Sequence, residues 1–366
     1  TNRQYWLTIK APPASGDCVG TVVVKSNGKK LATLNLNLRV LPFTLVEPRV
    51  RHNLDEPFIS SIYYRSILVG DTPQGTISSE ARSVEQIRAE LQDMVDHGIT
   101  NPTCYQPWKL PVQFNQYTGL REQAGIRNKP LLLLNLRPGD DPEQLAKIAE
   151  LLAWTRKRKI PQLYLYGIDE AKGDRLAAQR QAWIATRKLG VKMFVAGYRG
   201  SNFPKLGDIQ DVLVCAGALS TEEADLWHSV GHRIWSYANP QSGPENPAVF
   251  RRNFGLALWL ANYDGACTYA YMHSFGNIWN DFDNHGYRDP CLVYPTVDGV
   301  IDTLAIEGYR EGIDDIRYVT TLALKVRGAK DGSAKAAARR FLDQLSADGN
   351  LDQKREAIIE HILQLQ

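Results

Sequence analysis

From residue 59 to residue 272, short apolar runs alternate with helix-length segments, and this alternation restricts the fold more than any other feature of the chain. A parallel strand buried on both faces reads as such a run, because neither face meets water. Runs at 59–67, 99–105, 131–136, 163–168, 192–196, 212–216, 233–237 and 266–272 make eight candidate strands. Helical patterns lie between them at 83–97, 140–158, 176–189 and 248–262, with a short helix opening at Thr221. Eight strands alternating with helices over roughly 220 residues predict an α/β chain folded as a (β/α)8 (TIM) barrel. The competing architecture, a doubly wound open sheet, usually carries a Gly-rich phosphate loop after an early strand, and none is present here.

The flanks read differently. Strand patterns occupy 5–9, 21–24 and 31–40, with turn residues at Pro12-Pro13 and Ser15-Gly16-Asp17 and a hairpin signal at Ser26-Asn27-Gly28. Three strands offer too little surface for a core of their own. Either they lean on the next domain or residues 1–45 are the end of a β-sandwich whose other strands lie upstream, and the second is expected. A proline-containing linker runs from Leu41 to Pro57. The expected domains are 1–45 (partial sandwich), 46–330 (barrel) and 331–366 (C-terminal helical cap), with helices at 302–327, 333–345 and 352–364.

Composition excludes several functions. Net charge is +3, the basic residues are dispersed, and no polybasic run offers a nucleic-acid surface. No apolar run is long enough to cross a bilayer. Five cysteines without CxxC spacing fit neither a zinc ribbon nor a thioredoxin-type centre. Sixteen tyrosines and eight tryptophans supply flat apolar faces with polar handles, as sugar rings require, although any one of them is as well suited to the core.

Of the adjacent acidic pairs, only Asp169-Glu170 directly follows a buried strand. Asp140-Asp141 and Glu222-Glu223 stand at helix starts, where carboxylates answer the helix dipole, Asp314-Asp315 lies within a helix, and Asp55-Glu56 is in the linker. Catalytic groups of a β/α barrel collect at the carboxyl ends of its strands, so the pair is a candidate catalytic centre. Helix-start chemistry for the segment from Ala171 is the alternative. Strand parity puts Glu170 on the face of Tyr164, Tyr166 and Ile168, and Asp169 joins it only if the strand end bends near Gly167. His228-x-x-x-His232 has helical metal-ligand spacing, but Gly231 interrupts it and the Glu of HExxH is missing, so no metal is expected there.

The run Tyr166-Gly167-Ile168-Asp169-Glu170 resembles the Asp-Glu motif of glycoside hydrolase family 123. Thr268-Tyr269-Ala270-Tyr271, Trp279-Asn280-Asp281-Phe282, Leu292-Val293-Tyr294-Pro295 and the run from Glu307 to Asp315 extend the resemblance toward the C-terminus. Trp6-Leu7-Thr8-Ile9-Lys10 and Gly20-Thr21-Val22-Val23-Val24 resemble the end of that family's N-terminal sandwich, here abbreviated.

The resemblance implies a retaining β-N-acetylgalactosaminidase that uses substrate assistance and needs no cofactor or metal. Its partner would be a glycan with terminal β-linked GalNAc, and its location secreted, periplasmic or at the cell surface. The sugar's 2-acetamido oxygen would attack the anomeric carbon, an exception to the two-carboxylate scheme. Glu170 would be general acid and then general base, its pKa raised by burial. Asp169 would orient the acetamido N–H and offset its developing charge. Substrate contacts are expected from Tyr105, Tyr198, Trp235, Tyr237, Tyr271, His273, Trp279, Asn280 and Asp281, at strand ends and in the loop after the eighth strand. Two alternatives stay open: a glycosidase on another sugar with Asp281 as second catalytic carboxylate, and a carbohydrate-binding protein without catalysis.

Overall fold

The computed structural model describes residues 7, 9–69, 80–243 and 245–366. The chain divides into two compact units, Thr1–Val46 and Glu47–Gln366. In the first, β1 (Gly16–Ser26) and β2 (Lys29–Val40) pair antiparallel across Asn27-Gly28. Both turn residues have positive φ, 46° and 77°, the requirement of a two-residue turn whose twist matches that of the strands. Gly16 and Asp17, expected in a turn, already belong to β1 and pair with Val40 and Arg39. The strand expected at 5–9 lies outside the described residues, except for Leu7 and Ile9.

The second unit contains β3 (Ile59–Ile62), β4 (Ile67–Leu68), β5 (Ala81–Arg82), β6 (Leu131–Leu133), β7 (Leu163–Tyr166), β8 (Lys192–Tyr198) and β9 (Val212–Ala216). After them come β10 (Arg233–Tyr237), β11 (Gly265–Thr268), β12 (Val293–Pro295) and β13 (Val300–Asp302). Seven of these strands form one parallel sheet in the order β3-β11-β10-β9-β8-β7-β6. Both edges of the sheet bond to a single segment. Asn101 N donates to Ser60 O (3.1 Å) and Thr103 N to Ile62 O (3.0 Å), while Cys104 N donates to Leu132 O (2.7 Å) and its carbonyl accepts from Leu134 N (2.9 Å). The sheet is therefore curled. The expected regular strand at 99–105 is not formed, because Pro102 has no N–H to contribute to a ladder.

Twelve helices are described: α1 (Val84–Asp96), α2 (Pro111–Gln123), α3 (Pro142–Lys157), α4 (Gly173–Ala177), α5 (Arg180–Arg187), α6 (Phe203–Leu206), α7 (Thr221–His228), α8 (Pro247–Asn253), α9 (Leu256–Leu260), α10 (Leu304–Gly328), α11 (Ser333–Gln344) and α12 (Leu351–Gln364). Their starts follow capping chemistry. Ser83 and Gln86 form a reciprocal capping box on α1, and Asp141 and Ser220 accept the backbone N–H of Gln144 and Glu223.

Several boundaries differ from expectation. The strands predicted at 59–67 and 266–272 end at Ile62 and Thr268. The helix predicted at 176–189 is two pieces, α4 and α5, and the one at 248–262 is divided into α8 and α9 at Gly255. A Cβ on Gly255 would lie 2.3 Å from Arg251 O and 2.8 Å from Gly312 Cα, so the break is where the chain presses against α10. Helix α2 had no counterpart in the sequence reading.

Packing inside the curl is aromatic. Leu163 and Leu165 alternate with Tyr164 and Tyr166 along β7, and both tyrosine rings meet Phe194 of β8 edge-on, at 6.2 and 4.9 Å between centroids. Phe194 in turn meets Trp235 of β10 at 6.5 Å. These rings fill the interior beneath the carboxyl ends of the strands.

Candidate active site

A cavity of about 550 Å³ opens at the carboxyl ends of the strands, within the ~300–1,000 Å³ usual for small-molecule sites. Asp169 and Glu170 both line it and are the only carboxylates among its described lining residues. The strand ends at Tyr166, two residues earlier than the sequence pattern suggests, so strict parity no longer applies to the pair. At Gly167 a Cβ would lie 2.3 Å from the Trp183 ring and 2.8 Å from Gln179 Oε1, so only glycine lets the chain leave β7 so close to α5. Gln179 Oε1 then accepts Ile168 N (2.5 Å), and Glu170 adopts a left-handed conformation, φ 46°, with its N–H donating to Ala196 O (3.2 Å). A left-handed glutamate is uncommon and costs on the order of 1 kcal/mol or more.

The pair does not serve a helix start. α4 begins at Gly173 after Lys172, with no side-chain cap. Instead each carboxylate meets its own tyrosine. Tyr166 Oη donates to Asp169 Oδ1 at 2.6 Å, and Tyr198 Oη donates to Glu170 Oε2 at 2.5 Å. The Tyr166 hydroxyl is fully used: it accepts from Ala196 N (3.1 Å), and with its proton committed to Asp169 it accepts from Tyr63 Oη (2.7 Å). Burial pushes the Asp169 carboxyl above its ordinary range, the Tyr166 hydroxyl pulls it down, Glu170 pushes it up again, and Arg175 pulls it down. Burial and then the two carboxylates push Tyr237 up to beyond the ordinary phenol range, keeping it a neutral donor. Glu170 itself is only half-buried, less enclosed than the sequence reading required.

Other predicted site residues separate into two groups. Tyr105 and Tyr237 line the cavity, and Tyr198 reaches it through Glu170. His273 stands behind it, with Nδ1 2.7 Å from the hydroxyl of Tyr269, a lining residue. The rest are elsewhere. Trp235 is buried against Phe194 as part of the interior plug. Tyr271 is buried outside the cavity, donates to Asp93 (2.7 Å) and meets Tyr64 edge-on. Trp279 stacks on Tyr294, and Asn280 caps its own loop by accepting from Phe282 N (3.3 Å). Asp281 is buried beneath Arg288, whose Nε donates to it at 2.9 Å, so it anchors a guanidinium and does not face substrate.

Sequence reading missed Tyr63, Arg65, Tyr166, Tyr269 and the wall made by Phe275, Tyr287, Arg288 and Pro290. The three tyrosines stand near strand ends, where the same rule that selected Tyr105 and Tyr237 could have found them. The strand ends at Thr268, so Tyr269, one residue past it, lines the cavity, while Tyr271 does not. The wall is the 273–290 loop, closed at its base by His273 N to Pro290 O (3.0 Å) and Leu292 N to Tyr271 O (2.9 Å). No local sequence pattern shows which side chains such a loop turns inward.

The two histidines of the HxxxH spacing go to different partners. His228 Nε2 is 2.9 Å from Asp264 Oδ2, and His232 Nδ1 is 2.8 Å from Gly207 O.

No family model matches the sequence, and no curated protein matches it. Among solved structures, the fold is similar to a sialic acid aldolase from Ruminococcus gnavus (TM-score 0.36, 10% identity, 84% of this chain and 98% of that one). It is also similar to a D-psicose 3-epimerase from Clostridium cellulolyticum H10 (TM-score 0.34, 15% identity, 71% of this chain and 98% of that one). Neither likeness bears on the reaction. No helix among the described residues is long and apolar enough to cross a membrane.

Proposed function

We propose that the chain is a retaining glycoside hydrolase acting on terminal β-linked N-acetylgalactosamine through the substrate's own 2-acetamido group, as its resemblance to glycoside hydrolase family 123 suggests. The reading includes a (β/α)8 barrel in which 101–104 is the eighth position, supported by its bonds to both edges of the sheet. One observation carries the function: neighbouring carboxylates, Asp169 and Glu170, are turned into one cavity and each is held by a different tyrosine hydroxyl. Glu170, half-exposed at the cavity, donates a proton to the leaving oxygen and then takes one from water. Asp169, ionised and steadied by Tyr166, accepts from the acetamido N–H and offsets its charge as the amide oxygen attacks.

The rest of the lining favours this over conventional catalysis. A two-carboxylate glycosidase places its acids on either side of the scissile bond. Here both acids come from one turn, and the described lining otherwise consists of tyrosines, arginines, amides and apolar groups. Asp281, the alternative second carboxylate, is occupied by Arg288. An attacking group supplied by the substrate meets that shortage, and the tyrosines offer faces and hydroxyls to a sugar ring.

Nitrophenyl β-glycosides with and without the 2-acetamido group provide the test. The expected result is turnover of the acetamido sugar alone. Asp169→Asn is expected to lower kcat on every leaving group, and Glu170→Gln mainly on poor ones. Turnover of the plain galactoside in preference to the acetamido sugar, or equal small losses from both variants, would refute the assignment.

A further inference from the structure

The sheet has a second cluster of titratable side chains, at its opposite, amino edge. Asp264 directly precedes β11, and its backbone ties three strands: its N–H donates to Ile234 O (2.9 Å) and its carbonyl accepts from Ile59 N (2.9 Å). Its carboxylate is 1% exposed, which is costly for an anion without a compensating cation or donors. Oδ2 accepts from Ile234 N (2.8 Å) and meets His228 Nε2 (2.9 Å), and Oδ1 lies 3.8 Å from His52 Nε2. The two imidazoles are tilted against each other, 3.9 Å between centroids and 34° between planes.

The donor types and the convergence of one ligand atom from each residue suit a divalent metal ion. A tetrahedral zinc with bonds of about 2.0–2.1 Å places its ligand atoms about 3.3–3.4 Å apart. One ligand atom from each of the three residues lies within 4.8 Å of the others, and the carboxylate reaches both rings, through Oδ2 to His228 Nε2 (2.9 Å) and through Oδ1 to His52 Nε2 (3.8 Å), so small shifts bring one oxygen and both nitrogens to that spacing. Two imidazoles and a carboxylate suit zinc, and nickel or copper after it. The Ile234 N–H orients the carboxylate from behind, as outer partners of metal ligands do. Exposure grades outward, from 1% at Asp264 through 16% at His228 to 31% at His52, leaving an open flank for entry and for a water as fourth ligand.

We propose that His52, His228 and Asp264 form a binding site for a zinc-class divalent ion that joins the segment before β3, the end of α7 and the turn before β11. On binding, the His228–Asp264 hydrogen bond is exchanged for a bond from each to the ion, and any proton on either ligating Nε2 leaves to solvent. The other mixed cluster, Asp93, His97 and Asp302, supplies a contrast. His97 Nδ1 bonds Asp93 O (2.8 Å) and its Nε2 faces Glu307 (3.6 Å) and Asp302 (3.9 Å), an arrangement that holds a proton between carboxylates.

The test uses the untagged full chain, stripped with chelator and titrated with zinc sulfate by calorimetry, and with Co²⁺ by visible absorption. One ion per chain is expected, with the d–d bands of four-coordinate Co²⁺. His52→Ala and His228→Ala are each expected to weaken binding at least tenfold, while His97→Gln leaves it unchanged. His52 is partly exposed, so its variant tests the site without threatening the fold, as circular dichroism would verify. Absence of saturable binding, or binding that both alanine variants retain, overturns the proposal.

Discussion

Removing the Tyr166 hydroxyl tests the geometry of the cavity most directly. Tyr166→Phe keeps the ring against Phe194 but deletes three bonds: to Asp169 (2.6 Å), from Tyr63 (2.7 Å) and from Ala196 N (3.1 Å). The Ala196 N–H and the Tyr63 hydroxyl, both in buried residues, lose their partner. An unsatisfied buried donor costs about 1–3 kcal/mol, so the expected loss of unfolding free energy is about 2–3 kcal/mol, read by chemical denaturation. The effect on catalysis has a definite sign. The hydroxyl lowers the Asp169 pKa by stabilising its carboxylate, and burial and Glu170 already raise it. Without the hydroxyl the pKa rises, and less Asp169 is ionised at a given pH. The acidic limb of kcat/KM should move upward, by an amount that water limits because the Asp169 side chain is also open to solvent. A variant as stable as the parent would refute the bonding scheme, and an unmoved acidic limb would remove Asp169 from the reacting set.

Two further outcomes follow from the same structure. Gly167→Ala would push a methyl to 2.3 Å from the ring of Trp183, which is 1% exposed and has nowhere to retreat. It should destabilise by about 1–3 kcal/mol and lower kcat more than the loss of stability alone explains, with thermal melts and kinetics as the measurements. At His97 burial acts to lower the pKa, but bonds to Asp93 and Glu307 outweigh it and raise it to about 10. This stability is fully present below the unfolded value of about 6.5 and is lost as pH rises through about 10. Denaturation curves of His97→Gln should therefore be flatter than the parent's across that window, by a few kcal/mol at the acid end. Equal slopes would show that His97 is not held protonated.

Much of the strand succession could be read locally because each strand is a short apolar run buried on both sides. The runs at 131–136, 163–168, 192–196, 212–216 and 233–237 all contain strands of the parallel sheet. Helix α2 escaped notice because its buried residues Phe114, Tyr117, Thr118, Leu120 and Arg121 mix apolar and polar types, which blurs the period. The candidate site was legible where a residue stands at the end of a strand position: Asp169 and Glu170 just past β7, Tyr237 at the end of β10 and Tyr105 after the 101–104 segment all line the cavity. Trp279, Asn280 and Asp281 stand in the loop after the eighth strand, and that loop turns them to Tyr294, to itself and to Arg288.

Periodicity and apolar runs are properties of neighbours along the chain, so the sequence alone located the segments that hold the seven strands of the parallel sheet and the acids just beyond β7. Where a strand stops and which way its last side chains point depend on residues far away. The Trp183 ring against Gly167, the Ala196 carbonyl that receives the Glu170 N–H and the Tyr63 hydroxyl behind Tyr166 meet only when the sheet curls. The same closure sets His228 beside His52 and Asp264, 176 and 36 residues away, and not beside His232 four residues on. Local pattern supplies the groups; the packed sheet decides which of them face one another, because contact energy falls off with distance in space and takes no account of distance along the chain.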